Sequence, residues 1–404
     1  MKVCLSMIVK SEAPLIANAL RSVKPYITAW AIVDTGSTDG TQDIIRKEME
    51  GIPGTLEEKP WINFSENRNQ ALDLAIQQLE KSVILSPAHF AGPTVGPSLV
   101  PLNARGYILV LDADDVMEFP DNFKWPALTH DGYLIEHILN STHYQRVQLV
   151  SASKKWRYMG PTHEVLVMQE PNETRGLIDQ VKTRCNVGDR SYKPDRFKRD
   201  IEELEKALKK EPNHTRYLFY LAQSYRDSGN VDKALKYYRK RAELGGWAQE
   251  AYCARVETAK MLDYKGNKTG ALAEYLFAHD LCPTRAEALC NATTVARLMS
   301  RYQLAYLLAS QAVKIPRPKD ALFTDEDVYT WRAMDELSLA AFYTGRRQEA
   351  LMLMRKLLNV APEAQQPRMK DNLSFFTAEE LAVAPEAERP VPPETERPVP
   401  PEAG

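Results

Sequence analysis

The chain has 404 residues, of which 44% are hydrophobic and 26% charged, with a formal net charge of -2. That length accommodates two ordinary cores, and the composition is that of a soluble globular protein. The charge balance, with a pI near 6.4, argues against a general binder of phosphate backbones, which carries a strong basic excess.

Five cysteines, Cys4, Cys185, Cys253, Cys282 and Cys290, are widely spaced and form no CxxC pair. Such a set fits buried free thiols in a reducing compartment better than a disulfide framework or a zinc site. The opening run Val3-Cys4-Leu5-Ser6-Met7-Ile8-Val9 is too short for a signal-peptide core and reads as a buried strand. No apolar run reaches the roughly 20 residues that cross a bilayer. A cytoplasmic protein without a membrane span is the expectation.

After this first strand, residues 12–23 carry Leu15, Ile16, Ala19 and Leu20 at helical spacing. Ala29-Trp30-Ala31-Ile32-Val33 then forms an apolar run ending at Asp34, and a Gly/Ser/Thr/Asp turn leads into a helix over 42–49. Alternation of this kind predicts a mostly parallel sheet with helices on its faces, with ligands beyond the carboxyl ends of the strands. Residues 86–105, rich in Pro and Gly, read as a surface insertion before the next strand.

From about Asp195 to Leu381 the period is helical, with the 34-residue tetratricopeptide spacing. Ala222, Tyr225, Ala234 and Tyr238 occupy its small and aromatic positions. Ala259, Leu262, Ala271, Tyr275, Ala278 and Pro283 repeat them, and weaker copies end near 305–312 and 350–362. Small residues let paired helices approach, and aromatics fill the gaps between pairs. The tyrosines Tyr217, Tyr220, Tyr225, Tyr237 and Tyr238 read mostly as core. The tail duplicates Glu-Arg-Pro-Val-Pro-Pro-Glu and reads as an unstructured or polyproline-like tether. The predicted organisation is an α/β domain over 1–190, an all-α helical domain over 195–382, and a disordered tail over 383–404.

The chemistry concentrates at Leu109-Val110-Leu111-Asp112-Ala113-Asp114-Asp115, where an apolar strand delivers three carboxylates. Grouped carboxylates repel one another unless they share a cation. Mg2+ or Mn2+ suits oxygen ligands and keeps room for substrate phosphates. A nucleotide-diphosphate substrate would supply them, and the metal would offset charge on the departing diphosphate. Three more segments add to this: Ser6-Met7-Ile8-Val9-Lys10-Ser11-Glu12, Val33-Asp34-Thr35-Gly36-Ser37-Thr38-Asp39-Gly40-Thr41, and a helix start carrying Arg68, whose guanidinium matches phosphate geometry. Asp39 equally suits a cap on the following helix. The remaining histidines, His137 and His143 among them, form no ligand pattern by spacing.

Together these residues resemble the family 2 glycosyltransferases of the GT-A (Rossmann-like) fold, over roughly residues 1–170. The resemblance implies that Val9 and Glu12 lie near base and ribose, that Asp34 binds the base, and that Arg68 faces the diphosphate. It places Asp112, with Ala113, at the ribose and Asp114 on the metal. Gly160-Pro161-Thr162-His163-Glu164 looks like the "Gly-X-X-His-Glu" segment of members that carry helical repeats. His163 is then a second metal ligand and Glu164 the general base, with Asp115 competing for that role. Inversion at the anomeric carbon is implied as well. Ser11 departs from the family, which often has Asn there.

The expected function is metal-dependent transfer of a sugar from a UDP-sugar to a hydroxyl or thiol. The acceptor would be a peptide or protein or a glycan, with a modified nucleobase disfavoured by the near-neutral charge. The helical repeats would hold the acceptor or join two subunits in a homodimer. The rival from another class is a non-catalytic scaffold, with a degenerate sugar-nucleotide domain and partner-binding repeats. A nucleotidyltransferase would show a Gly-rich loop after the first strand, where Lys10-Ser11-Glu12 stands instead.

Overall fold

In a computed structural model of the chain, residues 1–84, 106–185, 196–319 and 322–382 are described. The insertion at 86–105, the boundary at 190/195 and the tail from 383 lie outside them.

The first half is built on β1 (Val3–Val9), which pairs in parallel with β2 (Ala29–Asp34) on one side and β4 (Tyr107–Val110) on the other. β3 (Gly54–Glu58) extends the parallel run beyond β2. Strands buried on both faces need no polar alternation. Leu5, Met7 and Val9 of β1 pack with α1 (Ile16–Val23) and α2 (Thr41–Glu48). Cys4 and the Ala29, Ala31 and Val33 face of β2 meet α3 (Phe64–Ile84). Gly54 is required by crowding, because a Cβ there would lie 2.1 Å from the Trp30 ring.

Beyond β4 the expectation of a mostly parallel sheet fails. β7 (Thr142–Ser151) runs antiparallel to both β4 and β6 (Gly132–Leu139). β10 (Arg175–Arg184) is parallel to β6 and antiparallel to β5 (Val116–Glu118). The order among the described residues is β3-β2-β1-β4-β7-β6-β10-β5, a mixed sheet. The reason is local. Only Asn140 and Ser141 join β6 to β7, with Asn140 at a φ of 54°. So short a turn permits antiparallel pairing alone, since parallel strands need a crossover of a dozen or more residues. A separate hairpin, β8 (Trp156–Met159) and β9 (Val165–Met168), packs on α3.

The second half opens with α4 (Arg196–Lys210) and continues as four helix pairs. They are α5 (Thr215–Asp227) with α6 (Val231–Glu243), α7 (Ala248–Tyr264) with α8 (Lys268–Leu281), α9 (Glu287–Leu298) with α10 (Tyr302–Ala312), and α11 (Ala333–Tyr343) with α12 (Arg347–Val360). One turn recurs in all four. A residue at positive φ, namely Gly229, Gly266, Ser300 or Gly345, follows the first helix. The next backbone N–H, from Asn230, Asn267, Arg301 or Arg346, then reaches back to Tyr225, Leu262, Ala296 or Ala341. Ala222, Ala234, Ala259 and Ala271 are fully buried where the helices cross, and Tyr225, Tyr238 and Tyr275 fill the gaps. Enlarging such an alanine overpacks the crossing, at a cost of about 1–3 kcal/mol. Pro283 is exposed.

The two halves share the sheet. β4 pairs only with the Leu149–Ser151 end of β7, which leaves the edge at Thr142 and His143 open. β11 (Thr324–Asp325), between α10 and α11, fills it in antiparallel register, and Glu326 N–H donates to the Ser141 carbonyl at 2.8 Å. A two-residue strand has no pattern to read. A π-helical turn, Val328–Arg332, then leads into α11. No helix among the described residues is long and apolar enough to cross a membrane.

Candidate functional site

Strand succession reverses between β1 and β4, and in open α/β sheets the crevice at such a reversal is where ligands bind. A cleft of about 1380 Å³ opens there. Its floor is the carboxyl end of β1 and the loop after β4, and its far wall is α4 and α5 of the helical half. Val9, Glu12, Arg68, Asp112, Ala113, Asp114, His163 and Glu164 all line it.

Asp112 lies between two cations. Arg68 Nη2 is 2.5 Å from Oδ1, and Arg146 Nη1 is 3.1 Å from Oδ2. Arg68 also pairs through Nε with Glu164, and its guanidinium lies 5.3 Å from the Tyr158 ring centroid. Burial alone would raise the Asp112 carboxyl, but the two guanidiniums and their hydrogen bonds overcome it. The group is held well below the usual carboxylate range. Arg68 and Arg146 are in turn held charged, against burial, chiefly by Asp112.

The start of α3 is fastened so that Arg68 cannot wander. Asn67 accepts the Ile62 N–H at 2.9 Å and donates to the Pro60 carbonyl at 3.0 Å. Asn69 exchanges two hydrogen bonds with the Tyr158 backbone on β8, at 2.8 and 3.1 Å, and the Ser65 hydroxyl donates to the Gly160 carbonyl. On the opposite side, Asp39 joins two loops, accepting from Ala13 N–H at 3.0 Å and from the Thr41 hydroxyl at 2.6 Å. It acts as a local clasp, and those hydrogen bonds outweigh its burial and lower its carboxyl.

His163 and Glu164 sit in the β8–β9 loop, with His163 at a φ of 49°, a left-handed conformation uncommon for a non-glycine residue. The helical half holds it there. Arg216 donates to the His163 carbonyl from Nε and Nη2 at 3.0 and 2.9 Å, the Tyr220 ring lies flat against the imidazole, and Asp200 Oδ2 is 4.0 Å from Nε2. Burial lowers the His163 pKa despite Asp200 and Glu164, which favours the neutral ring that a metal ligand must be.

Two of the sequence-predicted residues lie elsewhere. Asp34 is fully buried beneath the cleft. Its Oδ1 accepts from Gly36 and Ser37 N–H at 2.9 and 2.8 Å, while Oδ2 is buried with no hydrogen-bond partner among the described residues. Asp115 does not line the cleft; its oxygen lies within 4.8 Å of ligand atoms of His137 and Cys185. The five cysteines are free, four of them buried.

Sequence reasoning missed Arg146, Arg216 and Asp200, and read Tyr220 mostly as core. Arg146 carried one signal, a charge directly before the strand-like Val147-Gln148-Leu149-Val150 run. Its meeting with Asp112, 34 positions away, depends on the β4–β7 pairing.

No family model matches the chain, and no curated protein matches it. Among solved structures, MamA is similar at 20% identity over 47% of this chain and 92% of its own, with a TM-score of 0.33. YrrB, described as a TPR protein with an unusual peptide-binding site, is similar at 14% identity over 44% and 85%, with a TM-score of 0.36. The APC/C hetero-tetramer Cut9-Hcn1 is similar at 14% identity over 45% of this chain and 33% of that one, with a TM-score of 0.35. The four helix pairs and their shared turn make the second half of the present chain a helical repeat region.

Proposed function

We propose that the cleft binds a nucleotide sugar and that the chain is a metal-assisted glycosyltransferase, moving a sugar from a UDP-sugar to a hydroxyl or thiol. One observation carries this reading. Asp112, Arg68, Arg146 and Glu164 form a charged cluster facing a large cleft at the strand-order reversal. Buried charges are costly unless paired, and a cluster aimed into open space is suited to exchanging partners with a ligand.

In this reading Val9 and Glu12 flank base and ribose, with Ala113 and Asp112 beside the ribose. Arg68 trades its carboxylates for the diphosphate, whose geometry its fork matches. That exchange releases Glu164 from Arg68, freeing it to accept the acceptor's proton. The carboxylate of Asp114 and the neutral imidazole of His163, lining the same cleft, are suitable donors for Mn2+ or Mg2+. A bound divalent cation would supply Lewis-acid stabilisation of the leaving diphosphate. The helical wall, with Arg216 and Tyr220, stands where an acceptor enters.

A second reading is a partner-binding scaffold. It is favoured by the charge cluster's internal compensation, since Asp112 is satisfied by two arginines without any ligand. The deciding experiment measures UDP release from a panel of UDP-sugars, with and without Mn2+, for wild type and Asp114→Ala. Metal-dependent release from one sugar, lost in the variant, supports transfer. No release together with no metal-dependent UDP binding leaves the scaffold.

A further inference from the structure

Beside the acidic loop, next to the cleft-lining Tyr144, three side chains of ligand type converge from three separate backbones. Asp115 follows β4, and its N–H donates to the Asp112 carbonyl at 3.1 Å, closing a tight turn. His137 belongs to β6. Cys185 directly follows β10, and its N–H donates to the Ile138 carbonyl at 2.9 Å, continuing the β6–β10 ladder. The ladder therefore fixes the thiol beside the imidazole, and Cys185 Sγ lies 3.2 Å from His137 Nδ1.

A carboxylate oxygen, an imidazole nitrogen and a thiol sulfur thus lie within 4.8 Å of one another. The Tyr144 hydroxyl, 3.7 Å from Sγ, is a fourth polar group, and its ring stacks on His137 with centroids 5.3 Å apart. The imidazole is 1% exposed, and its Nε2 makes no hydrogen bond of good geometry among the described residues, Gln148 being its polar neighbour. A tetrahedral zinc site brings sulfur, nitrogen and oxygen donors to roughly 3.5 Å from one another, at metal distances of about 2.0–2.3 Å. The three ligand atoms, within 4.8 Å of one another, approach that spacing.

We propose that Asp115, His137 and Cys185 form a binding site for Zn2+, independent of the nucleotide-sugar reading of the cleft. Sulfur and imidazole donors select zinc over the hard cations expected at Asp114. Binding replaces the thiol proton with the metal, and that proton leaves to solvent. The site ties the Asp112-to-Asp115 loop to β6 and to the end of β10. Zinc there would hold in place the loop that presents Asp112 and Asp114 to the cleft. Asp115 is then a metal ligand and not a general base. A neutral Cys–His hydrogen bond inside a sheet is the bland alternative, and it makes no demand on a metal.

The test uses the full chain freed of metal by chelation and titrated with Co2+, which reports thiolate coordination by its absorption. The expected result is an intense thiolate-to-cobalt charge-transfer band in the near ultraviolet that saturates at one equivalent and is abolished by added Zn2+. Cys185→Ser removes the band, Asp114→Ala leaves it unchanged, and Asp115→Asn keeps it but weakens Co2+ binding about tenfold or more. Circular dichroism on each variant checks the fold. Absence of the band in the wild type overturns the proposal, and so does its survival in Cys185→Ser, which would assign it to another cysteine. Because Asp114→Ala keeps the band while losing UDP release, failure here and failure of the transferase reading are separable.

Discussion

The imidazole of His163 lies flat on the phenol ring of Tyr220, with 4.2 Å between centroids and 8° between planes. His163 belongs to the β8–β9 loop and Tyr220 to α5, so the contact sets one half's candidate ligand with the other half's helix. Ring stacking of this kind is worth about 0.5–1.5 kcal/mol beyond burial.

Replacing that platform should weaken metal-dependent binding without abolishing it. Tyr220→Ala is expected to lower metal-dependent UDP affinity roughly 2–10-fold, while Tyr220→Phe, which keeps the ring, stays near wild type. Calorimetric titration of UDP in Mn2+ measures both. Equal losses in the two variants would show that the hydroxyl, not the stack, matters.

Arg68 serves two carboxylates with a planar fork, so keeping its charge is not enough. Arg68→Lys is expected to lower kcat/KM for the UDP-sugar roughly 10²–10³-fold, the scale on which losing one aimed donor acts. Steady-state kinetics checks this, and a lysine variant of near-normal turnover would remove Arg68 from the diphosphate role.

Arg285 and Glu287 form a buried ion pair at the start of α9, with Nη2 and Oε1 2.7 Å apart. Arg285 also donates to the Leu322 and Phe323 carbonyls just before β11, at 2.7 and 3.2 Å. Glu287→Gln leaves this cation uncompensated and is expected to cost about 3–5 kcal/mol in chemical denaturation.

The same pair sets an acid limit. Burial would push the Glu287 carboxyl up, but Arg285 and the Tyr329 hydroxyl hold it below its ordinary value. A depressed native pKa stabilises the fold above the unfolded value of about 4.3, and that stability is lost as pH falls below it. The wild type should therefore lose stability below about pH 4.3 more steeply than Glu287→Gln. Parallel acid titrations of the two would refute the assignment.

Arg317 bridges Glu136 and Glu326 at 2.7 and 2.6 Å, beside the β7–β11 pairing, and is itself 36% exposed. An exposed pair is worth little, so Arg317→Glu should change global stability by less than about 1 kcal/mol. Local opening should still rise. Hydrogen exchange at Glu326, whose N–H bonds the Ser141 carbonyl, is the measurement, and unchanged protection would show that the backbone ladder alone holds the strand.

Some of this was legible along the chain. β1 is an apolar run interrupted only by Ser6, β2 is apolar up to Val33, and their ends at Val9 and Asp34 follow from the next turn residues. The helix pairs were visible because the small and aromatic spacing of Ala222, Tyr225, Ala234 and Tyr238 is local to one unit, and all four are buried. The antiparallel part was not visible, because a parallel reading carried over from the first strands misses what the Asn140-Ser141 turn imposes. Nor was the meeting of Asp115, His137 and Cys185. Those positions share no spacing, and only the ladder between β6 and β10 brings the last two together.

The pairing of Thr324 and Asp325 with β7 also bears on how the molecule is made. A nascent chain emerging from the ribosome has β1 to β10 long before residue 325 appears, and until then the edge at Thr142 and His143 lacks β11. Unpaired strand edges invite association with other chains. Cutting the chain where strands give way to helices would make that transient exposure permanent.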